Sequence, residues 1–140
     1  TRREGFQKVY DLTERVIPAQ YREQEPSQAE FLDWTCTQAL DRVGFASHSE
    51  IANYWEAIRP ATAKTWCEGP GRNAMRTIQV EGVGDEIRDM YARPDIADQL
   101  DQAPEPPARV RFLSPFDPII RDRKRAEWLF GFDFRDWLVA

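Results

Sequence analysis

Cysteine, histidine and long apolar runs are all scarce in this sequence of 140 residues. Two cysteines, Cys36 and Cys67, are too few for a disulfide framework, and the single histidine, His48, argues against a zinc site of any usual type. No apolar run approaches the roughly 18–20 residues that span a bilayer, and no charged-then-apolar leader is visible. We therefore expect a cytoplasmic protein without a membrane partner, metal or other cofactor, whose cysteines are small buried residues.

Catalytic arrangements are scarce as well. No Ser/His/Asp set, phosphate-binding glycine loop or metal cluster can be assembled from the sequence, and Cys67 has no second histidine to activate it. Asp117 and Asp133 lie beside aromatic residues, but a helix cap explains Asp117 better, and pairing with a nearby arginine explains Asp133 better. The sequence predicts no catalytic residue within this chain.

Charge is distributed unevenly around the net value of -5. Residues 81–105 contain eight acidic side chains and two arginines, whereas residues 109–125 contain six basic side chains and two aspartates. A locally basic segment in an acidic protein indicates a phosphate-bearing partner more specifically than uniform basicity does. A solvated helix face is the simpler interpretation of any one basic run.

Two capping boxes predict two helix starts in the middle of the chain. Ser27 is followed three residues later by Glu30, and Ser47 is followed by Glu50 at the same spacing. Apolar residues at helical spacing come after each box. Gly44 lies where a helix-ending glycine belongs, so it ends the first helix.

A third helix and a hairpin complete this unit. Ala61–Glu68 is predicted as a short helix that Gly69-Pro70-Gly71 breaks. The predicted strands Thr77–Glu81 and Glu86–Ala92 are separated by the turn Gly82-Val83-Gly84-Asp85. Three short helices followed by a β-hairpin is the order of a winged helix-turn-helix. The predicted fold class is therefore α+β, with flanking strand and helix segments from neighbouring domains.

In a winged helix the third helix usually enters the DNA major groove, and the wing contacts the DNA backbone. Here the third helix offers Lys64, with Arg72 and Arg76 just beyond it. The turn of the wing carries Asp85 and Glu86, which would repel phosphate. This unit is consequently as compatible with a packing scaffold as with a direct reader of DNA.

The last part of the chain combines proline turns, cations and rings. Seven of the 17 aromatic residues fall between Phe112 and Trp137. Pro118 is predicted to open a helix with Asp117 as its N-cap, and Gly131 to end it. On one face of that helix we expect Arg121, Lys124, Arg125 and Trp128. We interpret Phe116, Trp128, Phe130 and Phe132 as rings that lock this helix onto the winged helix, and Phe132–Val139 as a strand.

The same patterns divide the chain into five parts. Arg2–Leu12 is predicted as one strand that Asp11 and Pro18 close, and both ends of the sequence look cut. We predict the end of a preceding winged-helix domain over residues 1–18, a linker over 19–26, the winged helix over 27–93, an acidic proline-containing linker over 94–108, and a proline turn, basic helix and start of a β region over 109–140.

The segment from Arg111 to Arg135 resembles a signature of the bacterial crosslink-repair DNA glycosylases of the YcaQ/AlkZ type, which are winged-helix DNA-binding-like proteins. The opening residues, Arg2–Gln7 with Val9–Leu12, are similar to a second signature of that family. The later match is carried by Leu113–Pro118, Asp122-Arg123 and Leu129–Phe134. The resemblance covers most of the chain, although the central unit is generic.

This resemblance implies tandem winged helices that wrap DNA, a β-barrel-like region after them, and hydrolysis of the N-glycosidic bond of alkylated or crosslinked purines. It also implies a catalytic Gln-apolar-Gln or Gln-apolar-Asp motif in the first winged helix, which would lie before Thr1. Gln99-Leu100-Asp101 matches the letters, but its place in an acidic linker makes chance the better explanation. Whether this chain is itself an enzyme therefore stays open.

Our leading hypothesis is a fragment that holds the backbone of double-stranded DNA while other domains of the same parent chain do the chemistry. We expect Arg121, Lys124 and Arg125 to contact phosphate, and Arg123 either to join them or to pair with Glu127. A dimeric transcriptional regulator that depends on Lys64, Arg72 and Arg76 is one alternative. A non-catalytic interaction scaffold, favoured by the acidic wing, is the other.

Overall fold

A computed structural model describes residues 2–4 and 7–133 of the chain, with side chains from Val9 onward. It contains two compact units, one that ends at Phe31 and one that begins at Leu32. In the first unit, strand β1 (Arg2–Glu4) pairs antiparallel with β2 (Gln7–Val9). Two single-turn helices follow, α1 (Thr13–Val16) and α2 (Ala19–Arg22).

The prediction of one strand over Arg2–Leu12 is wrong, because β1 and β2 form a hairpin. A hairpin gives the backbone N–H and C=O groups of both short strands local partners, which a lone strand lacks. Helix α2 occupies residues that the sequence assigned to a polar linker.

Helix α3 (Gln28–Val43) begins and ends as predicted. The backbone N–H of Ser27 donates to the Glu30 carboxylate over 2.8 Å, and the backbone N–H of Glu30 donates to the Ser27 hydroxyl over 3.3 Å. Gly44 then takes a positive φ of 77°, a conformation in which glycine has no steric penalty. The first capping box and the glycine stop are both confirmed.

Three further elements follow α3: a two-residue strand β3 (Phe45–Ala46), helix α4 (His48–Trp55) and helix α5 (Pro60–Glu68). The second capping box is confirmed, since the backbone N–H of Ser47 donates to Glu50 over 2.7 Å and its hydroxyl accepts from the Glu50 N–H. Helix α4 ends before the last of the apolar residues that follow the second capping box at helical spacing, because the backbone turns left-handed directly after Trp55.

A 3-10 helix (Pro70–Ala74) leads into the predicted hairpin, formed by β4 (Arg76–Glu81) and β5 (Ile87–Ala92). Strand β3 pairs with the other edge of β5, which gives an antiparallel sheet in the order β3-β5-β4. The hairpin is confirmed, whereas β3 was missed because two residues are too few to show alternation. Helices with an antiparallel sheet make a mixed architecture compatible with the predicted α+β class.

The core of the second unit lies where α3, α4 and α5 meet, and it includes Trp66 and both cysteines. Burial raises the pKa of the Cys36 thiol to about 12 and that of the Cys67 thiol to about 11. The indole N–H of Trp66 donates to the Asp33 carboxylate over 3.2 Å, so this buried ring has its polar group satisfied. The expectation of buried cysteines is confirmed.

Two helices lie after the sheet: α6 (Ile96–Asp101) and α7 (Arg123–Phe130). The prediction that Asp117 caps a helix opened by Pro118 is wrong. Asp117 instead accepts from the backbone N–H of Ile119 within a turn, and Asp122 caps α7 by accepting from the Arg125 N–H over 3.1 Å. Asp122 is the cap because it lies directly before the continuous helical residues.

The predicted stop of α7 is confirmed, since Gly131 follows the helix with a φ of 66°. The predicted strand over Phe132–Val139 lies largely outside the described residues. None of the helices in the described part of the chain combines the length and apolar character that a membrane crossing requires.

Candidate nucleic-acid interface

A cleft of about 420 Å³ opens between the second half of α4 and the segment that leads into α7. It brings together the four basic residues that the sequence placed at a phosphate interface: Arg121, Arg123, Lys124 and Arg125. The opposite wall comes from α4 and includes Asn53 and Tyr54. Four cations in one cleft provide the charge and hydrogen-bond donors that a phosphate group requires.

Arg125 differs from its neighbours because its side chain is only 6% exposed. Its Nη1 donates to Glu50 Oε1 over 3.2 Å, and its Nη2 donates to the carbonyl oxygen of Val43 over 3.3 Å. The guanidinium lies over the ring of Phe45, 4.5 Å from the centroid. Arg125 therefore joins α7 to α3, β3 and α4, and its donors point into the protein.

Arg121 and Lys124 are exposed. Arg121 Nη2 donates to the Tyr54 carbonyl oxygen, and the guanidinium lies 5.2 Å from the centroid of the Tyr54 ring. This contact fixes Arg121 at the wall of the cleft while leaving it accessible. Lys124 lies at the second position of α7 with its ammonium group at the surface.

Arg123 is the first residue of α7 and is also exposed, with an interaction inside the chain. Three carboxylates line the same cleft, those of Glu50, Glu56 and Asp122. Arg125 engages Glu50, and Asp122 accepts from the first turn of α7. Four basic and three acidic side chains therefore line the cleft, and its formal charge is +1 (4 − 3).

The second basic set lies in α5 and in the segment that follows it. Lys64 is exposed and lies 3.8 Å from Glu68, but both side chains are more than half exposed, so water screens this ion pair. Arg72 lies in the 3-10 helix and lines a separate cavity of about 380 Å³, and Arg76 is exposed at the start of β4. These cations are accessible, as the sequence suggested.

Trp128 holds the turn of the hairpin against α7. The backbone N–H of Val83 donates to the Trp128 carbonyl oxygen over 2.8 Å, and the Trp128 indole donates to the Glu86 carbonyl oxygen over 3.3 Å. A Cβ at Gly82 would lie 2.2 Å from the indole nitrogen. The Arg88 guanidinium lies 4.4 Å from the ring centroid. The start of the turn at Gly82 thus packs against the buried Trp128, while the residues from Val83 to Glu86 are exposed.

The four rings expected to lock α7 in place divide into two groups. Trp128 is 5% exposed, which confirms the prediction for this residue. Phe116 is 83% exposed, so the prediction is wrong there, and Phe130 and Phe132 are exposed as well. In the acidic turn, Arg88 donates to Glu86 over 2.8 Å, and this hydrogen bond lowers the pKa of that carboxyl, so Glu86 stays ionised with a cation beside it.

Gln99-Leu100-Asp101 lies on α6, a helix of six residues. The Gln99 amide donates to Asp95 over 2.9 Å, and this bond together with one from Arg93 lowers the pKa of the Asp95 carboxyl. Within residues 2–4 and 7–133, no three His, Cys, Asp or Glu side chains form a group that could hold a metal ion.

The buried position of Arg125 could have been found in the sequence. Residue 128 lies three positions later on the same helix face, and a tryptophan there indicates a face that packs inward. No comparable feature of the sequence indicated the contact between the hairpin and α7, because Gly82 was interpreted only as a residue of the turn.

Comparison with known proteins is consistent with this arrangement of cations. No solved structure gives a significant match to the chain. A model of the family described as DNA glycosylase AlkZ-like matches residues 1–139. Because that match spans nearly the whole sequence, this chain belongs to the AlkZ-like DNA glycosylase family.

Proposed function

We propose that residues 27–93 form a winged helix and that, with the cleft beside α7, they hold duplex DNA by its backbone in a repair glycosylase. Family membership supports a role on DNA. The element order supports the fold assignment: α3, β3, α4 and α5 are followed by the hairpin, and β3 pairs with β5. That is the order of a winged helix-turn-helix, in which α5 would face the groove.

The observation that carries the proposal is the separation of the cations by burial. Arg121 and Lys124 are exposed at one cleft. Arg125, which lies between Lys124 and Trp128 in the sequence, has partners inside the fold. We assign phosphate contact to Arg121, Lys124 and Arg123, and a positioning role to Arg125. Lys64, Arg72 and Arg76 form a second contact surface in this proposal. Such contacts bind DNA without reading its sequence.

In this proposal the base is excised by another part of the parent protein. The substrate class is the N-glycosidic bond of alkylated or crosslinked purines, and the catalytic glutamine motif lies outside these 140 residues. Gln99 supports this assignment, because its amide is bound to Asp95 on a short exposed helix and not directed into either cleft described above.

Binding to random duplex DNA across a salt series tests the proposal. The variant Arg121→Ala/Lys124→Ala is compared with Arg109→Ala/Arg111→Ala, which removes the same charge from exposed residues of the preceding segment. We expect weaker binding in the first variant and a salt slope lower by about 2, since each phosphate contact contributes about 1. The control should resemble the unchanged chain.

Two results would reject the proposal: no binding at low salt, or binding that the Arg121→Ala/Lys124→Ala change leaves unaltered. The transcriptional regulator is supported by the exposure of Lys64, Arg72 and Arg76. It predicts a preference for one DNA sequence that disappears in Lys64→Ala/Arg76→Ala, together with dimers in solution.

A further inference from the structure

Two tryptophans of the second unit lie at its surface. Trp34 of α3 and Trp55 of α4 stack with their ring centroids 5.6 Å apart and their planes at 27°. Trp34 is 53% exposed and Trp55 is 37% exposed. By contrast, Trp66 and Trp128 are buried, and each has a hydrogen-bonded indole. We call Trp34 and Trp55 the tryptophan pair.

Cations lie next to the tryptophan pair. The Arg42 guanidinium is 5.5 Å from the centroid of the Trp55 ring, within the range of a cation–π contact. Tyr54 meets the edge of Trp55 at 4.9 Å, and Arg121 lies over Tyr54 on the wall of the cationic cleft. A continuous row of rings and guanidinium groups therefore runs from the tryptophan pair to the proposed phosphate contacts.

The acidic groups of α3 next to Trp34 and Arg42 are occupied by other contacts, whereas Glu56, next to Trp55, is exposed. Asp33 accepts from the Trp66 indole, and Asp41 pairs with Arg93. A half-exposed indole beside exposed guanidinium groups suits a ligand that has planar apolar faces and negative charge. A nucleotide meets both requirements, because every base has a π face and every nucleotide has a phosphate.

We propose that the tryptophan pair is a stacking site for a nucleobase that has left its base pair, with the base lying on Trp34 and the adjoining phosphates near Arg42 and Arg121. The inference rests on the proposed binding of DNA and adds a preference for DNA that contains an unpaired base. Stacking of this kind tolerates any base, since it uses the ring face and not the hydrogen-bonding edge.

The test compares a short paired duplex, the same duplex with one unpaired thymine, and a single-stranded oligothymidine. Trp34→Ala removes the exposed ring, Trp34→Phe retains a smaller one, and Phe116→Ala removes an exposed ring elsewhere as a control. We expect quenching of the Trp34 contribution to the fluorescence, obtained as the difference between the unchanged chain and Trp34→Phe. Trp34→Ala should weaken binding to the unpaired and single-stranded DNA by at least about fivefold.

The outcomes separate the two proposals. Equal affinity for paired and unpaired duplex, or a preference that Trp34→Ala leaves intact, would overturn the stacking site while duplex binding stands. Quenching by oligothymidine without any binding to paired duplex would reject the duplex-holding role and keep the stacking site. Loss of self-association in Trp34→Ala with no change in DNA affinity would identify a protein-docking surface and overturn the inference.

Discussion

Lys124 and Arg125 are adjacent in sequence and have opposite surroundings. Lys124 has its charge at the surface of the cleft, whereas Arg125 is bound by Glu50 and Val43 beneath it. We call Arg125 and Trp128 with their partners the buried junction, and Arg121 with Lys124 the exposed rim. The difference shows that consecutive residues of one basic run can be buried and exposed, and in the proposed function burial assigns Arg125 to the fold and Lys124 to the ligand.

The largest expected effect is at the buried junction. Arg125→Ala leaves the Glu50 carboxylate without its cation in a mostly buried position, so the free energy of unfolding should fall by about 3–5 kcal/mol. Urea denaturation of the full chain measures this change. Lys124→Ala is the matched control and should stay within about 0.5 kcal/mol of the unchanged chain. Equal losses of unfolding free energy in the two variants would contradict the distinction between the buried junction and the exposed rim.

The contact of Trp128 with the hairpin should be nearly as sensitive. Gly82→Ala places a methyl group where the indole lies, and overpacking of this kind costs about 1–3 kcal/mol. The same substitution in a Trp128→Phe background should cost less, because the smaller ring leaves room. A double-mutant cycle of thermal or urea unfolding measures the difference. Additive costs would mean that the ring does not press on Gly82.

A smaller effect is expected where α4 begins. Glu50 uses one carboxylate oxygen for the capping box with Ser47 and the other for Arg125. Ser47→Ala should reduce the free energy of unfolding by about 1 kcal/mol, since it removes a hydroxyl that accepts from the backbone of the first turn. Ser49→Ala, two residues later and not at the cap, provides the comparison by urea unfolding. A larger loss in the Ser49 variant would contradict this account of α4.

The smallest effect near neutral pH concerns the buried thiols. Burial raises the pKa values of Cys36 and Cys67 above the ordinary value of 9.0, so the folded state disfavours the thiolate. The thiols of the unfolded chain ionise first as pH rises, so their contribution to stability should be constant below about pH 9 and fall from there toward pH 11. Unfolding measured across this range in Cys67→Ala should show a shallower decline. An identical decline in stability in this variant would mean that other groups cause it.

Local signals predicted α3, α4 and α5 well, but not α6, which lies in the predicted linker, or the start of α7. Both capping boxes and the glycines that follow α3 and α7 were confirmed, because each depends on a few neighbouring residues. Strand β3 was missed, since its two residues are held by pairing with β5 about 45 residues away. Asp117 was predicted as the cap because Pro118 follows it, whereas no proline follows Asp122.

The candidate site was predicted only in part, for the same reason. The sequence identified the run from Arg121 to Arg125, and the fold places all its basic residues at one cleft. Their different exposure depends on contacts with Glu50 and Tyr54, which lie about 70 residues earlier. The tryptophan pair was missed too, because Trp55 was assigned to an apolar helical stripe and its contact with Trp34 joins two different helices.

The salt dependence of duplex binding tests the central claim most directly, with two variants side by side. Lys124→Ala removes a charge from the exposed rim, and Arg125→Met/Glu50→Gln replaces the buried ion pair with neutral side chains of similar size. We predict a slope of log affinity against log salt that is lower by about 1 in Lys124→Ala and unchanged in the double variant. An unchanged slope in Lys124→Ala with a reduced slope in the double variant would contradict the account.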